Sequence, residues 1–296
     1  MKTASVLLII SLLFSTCKPK DPVAVSEELS DEFGTPTLTR VQPDNILNEC
    51  SGIADSQKQP GMIWAHEDWG SVENLYLLNR QGAIMGSIKM PFNSYDWEDM
   101  AVGPGPQANE SYVYLAAIGD NSSLEDVKNI YRFVEPANLN TQVTSFDQIR
   151  FRYPDGSFDA EVLLLDPLTR DIFIVTKWTP KGHIYRLRYP QSTDPNVVTT
   201  AEKVGEMTIG GDLTGGAVSV TGREIIVRGY TGIYYWKRTP EQSIGEVLRQ
   251  APAKNLPYTP EPQGEAVTFD REGKGYFTLS ERRSAPFINL HFYPRK

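Results

Sequence analysis

Three glutamates, Glu98, Glu161 and Glu265, each open a short apolar run that ends at a turn residue five positions later, Gly103, Asp166 and Asp270. Carboxylates repeated in this way can do two kinds of chemistry if the fold gathers them. They can hold a hard cation through oxygen, or they can serve as general acid and base. The segments around them share one grammar of acid, apolar run and turn: Trp97-Glu98-Asp99-Met100-Ala101-Val102-Gly103, Asp159-Ala160-Glu161-Val162-Leu163-Leu164-Leu165-Asp166 and Gly264-Glu265-Ala266-Val267-Thr268-Phe269-Asp270. Two weaker copies fill the gaps, Ser51-Gly52-Ile53-Ala54-Asp55 and Thr214-Gly215-Gly216-Ala217-Val218. Ser51 and Gly216 align with the glutamates, and Thr214 takes that place only in a different register. Five copies about 50 residues apart signal a repeat architecture.

The elements that must position these residues are strands. After each copy comes a second run rich in aromatic and β-branched residues: 62–65, 112–118, 171–176, 224–227 and 275–279. A third run begins at Leu75, Ile130, Ile184, Ile233 and Ile288, with separations of 55, 54, 49 and 55 residues. This spacing suits the four-stranded blade of a β-propeller. Fourth strands are expected at 84–90, 146–153 and 200–208, and blade four also carries a short helical insertion, 241–250, before an outer segment at 253–258. The fifth blade lacks its own outer strand. The strand-like segment 35–42 is expected to supply it, closing the ring and covering an open sheet edge. The chain thus reads as an all-β, five-bladed β-propeller closed by an N-terminal strand, spanning 35–296 as one domain.

In a propeller the innermost strand of each blade begins at the face where the second strand ends. Two groups therefore converge on one mouth: Ser51, Glu98, Asp99, Asp159, Glu161, Thr214 and Glu265, and then His66, Glu67, Asp68, Asp120, Asn121, Lys177, Arg228, Tyr230, Glu281 and Arg282. Three glutamates at one axis repel one another unless neutralised. Oxygen-only donors favour Ca²⁺ over Zn²⁺, which prefers histidine and cysteine. The expected ligands are Glu98, Glu161 and Glu265, with Ser51 and Thr214 alongside. Lys177, Arg228, Arg282, Asp120 and Asn121 are candidates to hold substrate, and Asp99, Asp159 or His66 to orient a water. Trp69, Trp97 and Trp178 neighbour these residues. Asp120-Asn121-Ser122-Ser123 also has the composition of an Asx turn, and the tyrosines 76, 131, 185 and 234 fit blade-packing core.

The first 16 residues read as a signal: Lys2, then an apolar run from Val6 to Phe14 too short to span a bilayer. Phe14-Ser15-Thr16-Cys17 resembles a bacterial lipoprotein signal, which implies lipidation at Cys17, with ordinary secretion as the alternative. Residues 17–34 read as a tether too polar to order themselves. The expected location is the cell envelope, with the membrane touched only through the lipid. Cys50 then remains as the only thiol of the mature chain, which excludes an internal disulfide. The net charge of −8 lacks the basic stripe a nucleic-acid partner needs, and a monomer is expected.

The segments Trp97-Glu98-Asp99-Met100-Ala101, Ile118-Gly119-Asp120-Asn121, 159–167, Lys177 and Gln263-Gly264-Glu265-Ala266-Val267 resemble a group of secreted bacterial β-propellers of largely unknown activity, akin to phytase-like and gluconolactonase-like propellers. The order Ser51, Glu98, Glu161, Thr214 or Gly216, Glu265 is similar to the axial Ca²⁺ ligands of five-bladed calcium-activated nucleotidases. That likeness implies a Ca²⁺-dependent hydrolase of a small anionic substrate, a phosphate ester or lactone. The alternatives are a non-catalytic propeller binding a surface glycan, and a glycosidase-like enzyme using Asp99, Asp159 and Glu161.

Overall fold

The computed structural model describes residues 29–68, 73–93 and 96–296. The signal, Cys17, most of the tether, Trp69 and Tyr95 lie outside them. Strand β1 (Thr37–Arg40) precedes five small sheets. Blade one is β2 (Cys50–Asp55), β3 (Met62–Glu67), β4 (Asn74–Asn79) and β5 (Ile84–Lys89). Blade two is β6 (Trp97–Pro104), β7 (Ser111–Ala117), β8 (Lys128–Val134) and β9 (Asp147–Arg152). Blade three comprises β10 (Ala160–Leu165), β11 (Ile172–Thr176), β12 (His183–Leu187) and, after the two-residue β13 (Thr199–Thr200), β14 (Glu202–Glu206). Blade four is β15 (Leu213–Val218), β16 (Glu224–Gly229), β17 (Gly232–Lys237), helix α1 (Ile244–Leu248) and β18 (Lys254–Leu256). Blade five is β19 (Gln263–Phe269), β20 (Gly275–Glu281) and β21 (Asn289–Pro294).

The expected closure is present. β1 pairs antiparallel with β21, Thr37 opposite Phe292 and Arg40 opposite Asn289, so the N-terminal strand is the outer strand of the last blade. The bridge between Gln42 and Ala83 carries the chain on to blade one. Helix α1 forms where expected because Ser243 caps it: its hydroxyl accepts the Glu246 N–H while the Glu246 carboxylate accepts the Ser243 N–H. β13 leaves its own blade and pairs parallel with β9, tying blades two and three together.

The inner strands β2 and β10 are buried at every position because neighbouring blades cover both faces. Between blades two and three, Tyr112, Tyr114, Leu163, Leu165 and Tyr185 form one continuous apolar cluster. On the face away from the mouth, polar locks join adjacent blades. Asp166 accepts two bonds of 3.0 Å from Arg238, and Arg80 spans Asp55 at 2.9 Å and Asp270 at 2.7 Å. Two of the turn residues that end the sequence repeats therefore hold blade junctions.

Candidate metal centre

The glutamates are aimed by a shared backbone irregularity. In every blade the pairing of first and second strand slips by one residue, between Cys50 and Gly52, Trp97 and Asp99, Ala160 and Val162, Leu213 and Gly215, and Gly264 and Ala266. The extra residues are Ser51, Glu98, Glu161, Thr214 and Glu265. A β-bulge re-aims a side chain and interrupts pairing, as befits the rim of a closed fold. The bulge also settles blade four. Thr214, and not Gly216, occupies the glutamate's position, so the alignment on Gly216 is corrected. Gly216 instead gives its N–H to Asp99 at 3.0 Å.

Oxygens of Glu98, Asp159 and Glu161 lie within 4.8 Å of one another, and all three residues are buried. Asp159 Oδ2 and Glu161 Oε2 have no hydrogen-bond partner among the described residues. Oxygens of Asp68, Asp96 and Glu98 form a second such group. Gly119 makes room for both, because a Cβ there would overlap Glu98 Oε1 and crowd the Asp96 carboxyl. Burial pushes the Glu98 carboxyl well above the usual carboxylate range, and neighbouring Glu161 adds to the push. Glu161 is raised likewise by burial and then by Glu265, and Asp96 by burial and then by Asp159. Such upward shifts are the response of buried acids crowded by like charge.

Glu265 does not join the trio expected for it. It accepts bonds from Tyr230 Oη at 3.1 Å and Gln263 Nε2 at 2.8 Å. Lys177 bonds Glu161 and donates to Tyr230 at 2.9 Å, so one ammonium serves the Glu161 and Glu265 side of the axis. Burial alone would lower the Lys177 pKa, but Glu161 and Glu265 outweigh it and hold the ammonium charged. Asp159 takes Glu265's place in the cluster. Thr214 donates its hydroxyl to the Gly264 carbonyl at 2.9 Å.

Several other candidates have structural duties. Asp99 is fully buried, and its carboxylate accepts N–H groups of Met100, Leu163 and Gly216 at 2.8, 2.9 and 3.0 Å. It staples the inner strands of blades two, three and four and does not face the mouth as a catalytic acid. His66 is fully buried, edge-on to Trp97 at 5.8 Å, and burial pulls its pKa down to about 4. It is a neutral core imidazole, and a Cβ at Gly52 would overlap its Nε2. Arg228, also fully buried, pairs with Glu261 and donates to the Ala266 carbonyl at 2.8 Å, so it is not open to substrate. Arg282 reaches the Asp44 carbonyl at 3.2 Å. Asp120 accepts the N–H groups of Leu124 and Glu125 at 3.1 and 2.8 Å and pairs with Lys128 at 2.8 Å, as an Asx-type turn requires. Its own N–H positions Asp159 by donating to Oδ1 at 2.8 Å. Asn121 is exposed beside it.

Asp96 and Glu261 have parts that spacing does not assign, while Tyr230, placed at the mouth by its position after the second strand, bridges Lys177 and Glu265. Asp96 stands two residues before Glu98 inside the repeated motif, a signal available in the sequence. It sits at φ 51°, a left-handed conformation that Asp tolerates better than most residues. Trp178, at φ 59°, stays 59% exposed with its ring centroid 4.8 Å from the Lys177 ammonium. Its ring therefore stands beside the ammonium that bonds Glu161.

No protein-family model and no curated protein match the chain. Among solved structures it is similar to one described as an oxidoreductase (glucose dehydrogenase) from Thermus thermophilus, at 10% identity and TM-score 0.50, covering 87% of this chain and 99% of that one. The Dos1 propeller is similar at 10% identity and TM-score 0.37, covering 83% of this chain and 68% of that one. Kuenenia stuttgartiensis hydrazine synthase is similar at 9% identity and TM-score 0.42, covering 83% and 71%. Likenesses at such identities concern the fold and leave function to the site.

Proposed function

We propose that this is a propeller of the cell envelope, anchored through Cys17, whose axial carboxylates hold Ca²⁺ for the hydrolysis of a small substrate. The observation that carries the reading is the buried trio Glu98, Asp159 and Glu161, with unpartnered oxygens on Asp159 and Glu161. Buried carboxylates without a partner are costly, and a bound cation removes that cost. An all-oxygen donor set favours Ca²⁺ or Mg²⁺ over softer metals. When bound, the ion supplies Lewis-acid polarisation of a carbonyl or phosphoryl oxygen. Asp159, held by the Asp120 N–H, orients a water, and Lys177 meets negative charge. Arg228 and Arg282 are committed elsewhere. A substrate with little charge therefore suits the site, a lactone or a single phosphate ester.

Calorimetry on chelator-treated protein tests the ion, and a screen of lactones and phosphate esters tests the reaction. Absence of Ca²⁺ uptake would remove both. A second reading rests on Trp178: its exposed ring beside the Lys177 ammonium suits binding of a surface glycan without catalysis. Retained Ca²⁺ binding with a clean negative hydrolysis screen would favour it. Palmitate labelling that is lost in Cys17→Ser checks the anchor.

A further inference from the structure

We propose that a cleft between blades four and five binds a small neutral molecule through a single hydroxylated aromatic ring, with His291 as the partner of its hydroxyl. The inference stands apart from the axial acids and rests on a break in the repeat. Two residues beyond each bulge, Ile53, Met100, Leu163, Gly216 and Val267 pair across to Ala65, Leu115, Ile174, Val227 and Thr278 on the second strand. Those pair in turn with Tyr76, Tyr131, Tyr185 and Tyr234 on the third strands of blades one to four, and with His291 in blade five. His291, and not the Asn289 that the spacing of the third runs aligns there, therefore holds the tyrosine's place. The linker ahead of the blade departs in step. Phe92, six residues before Glu98, stacks on Tyr131 with 4.1 Å between centroids, and Phe158, three residues before Glu161, lies 6.1 Å from Tyr185. The same offsets from Glu265 give Thr259 and Pro262. Blade five thus lacks both rings of the pair that blades two and three stack here.

A cleft of about 120 Å³ stands in their place, lined by Thr259, Pro262 and His291 and by the apolar side chains of Leu38, Phe287 and Ile288. An apolar cavity of about 150 Å³ takes up one benzene. This cleft opens outward beside Leu38, which is 49% exposed, so it admits one ring. Its polar groups leave one atom unanswered. His291 is 3% exposed, and its Nδ1 has no hydrogen-bond partner among the described residues. A buried polar atom without a partner costs stability, which a ligand hydroxyl recovers. Burial lowers the pKa of this imidazole, while Glu261 pulls it up and Arg228 down, and the ring is neutral. A neutral imidazole nitrogen gives or takes a hydrogen bond according to its tautomer, and a phenolic hydroxyl can answer either. A charged ligand gains nothing, because the charges around the cleft are already matched. Glu261 pairs with Arg228 and accepts from the Thr278 hydroxyl at 3.2 Å, and Arg40, over the Phe287 ring at 4.3 Å, pairs with Asp44.

The test titrates the full chain with phenol, read by calorimetry and by the ring-nitrogen magnetic resonance signals of its histidines. The expected result is one phenol per chain, a shifted His291 signal, and benzene binding about tenfold weaker, the share of one buried hydrogen bond. His291→Tyr, which restores the residue of the other four blades, should abolish phenol binding. Thr259→Phe, which restores the other ring of the pair, is the second variant should the first fail to fold. Phenol that gives neither heat nor a shift would overturn the proposal. Phenol binding retained in either folded variant would place the ring elsewhere and overturn it as well. Equal affinity for benzene would overturn the role of His291. Each of these outcomes leaves the axial cation untouched, because Ca²⁺ uptake reads that site separately.

Discussion

Lys177 is the positive charge that the mouth supplies for itself. Its ammonium bonds Glu161 and reaches Glu265 through Tyr230, and its side chain is 6% exposed. Removing one member of a buried ion pair leaves an uncompensated charge at a cost of about 3–5 kcal/mol. Lys177→Met should therefore lower the melting temperature of chelator-treated protein, and excess Ca²⁺ should restore part of the loss by neutralising Glu161. Thermal unfolding with and without Ca²⁺ checks this, and a variant as stable as the parent in chelator would refute it. At this scale the sequence is legible in part: Glu98 and Glu161 meet as their repeated motifs imply, whereas Glu265, in an equally strict copy, is held by Tyr230 and Gln263 instead. It is illegible where chemistry depends on one backbone slip or on a distant loop. The bulge that puts Thr214 in place of Gly216 adds a residue without any composition signal of its own. Arg228 reads as free in the sequence only because its partner, Glu261, lies 33 residues on in the chain.

Among the elements, β1 has the largest task for its length. Its four residues cover the edge of β21, and Phe33 and Gly34 continue the contact through Arg295 and Pro294. Deleting 29–41 should expose that edge and cost several kcal/mol out of the roughly 5–15 kcal/mol a domain possesses. Circular dichroism melting of the truncated chain is the measurement, and an unchanged midpoint would show that the ring closes without it.

The junction it protects, between blades five and one, also carries a pH signature. Burial, with Asp270 close by, holds the Asp55 carboxyl at about 6, although Arg80 and the Arg271 N–H pull it down. Between its ordinary value and about 6 the native state thus binds this proton more tightly than the unfolded chain. This contribution favours folding at the acid end of that window and is lost as pH rises through about 6. Asp55→Asn should flatten that segment of the stability profile, from roughly pH 4 to 6.5. An unaltered slope in urea titrations would contradict it.

At the scale of the whole molecule, the regular 55, 54, 49 and 55 residue spacing exposes the ring, because each blade must repeat the same strand lengths to close. The spacing says nothing of which acids gather at the axis, since that follows from bulges and from loops such as the one bearing Asp96. The ring then makes the site and the stability interdependent. Glu98 belongs to blade two and Asp159 and Glu161 to blade three, so the cation proposed among them would cross-link two adjacent blades of the five. A ligand that binds only the folded ring stabilises it by about 2.7 kcal/mol at a hundred times its dissociation constant. For a domain of this size that corresponds to a rise of roughly 5–10 °C in melting temperature. Glu98→Gln should separate the two effects by sign. It removes a buried, unpartnered charge, so the variant in chelator should melt at or above the temperature of the parent, by the reasoning that sites are commonly optimised at the expense of stability. In Ca²⁺ the variant should gain almost nothing, while the parent gains the full shift. Differential scanning calorimetry of both proteins, with chelator and with millimolar Ca²⁺, gives the four midpoints required. A variant that melts far below the parent in chelator would make Glu98 a structural residue, and one that keeps the Ca²⁺ shift would place the ion elsewhere.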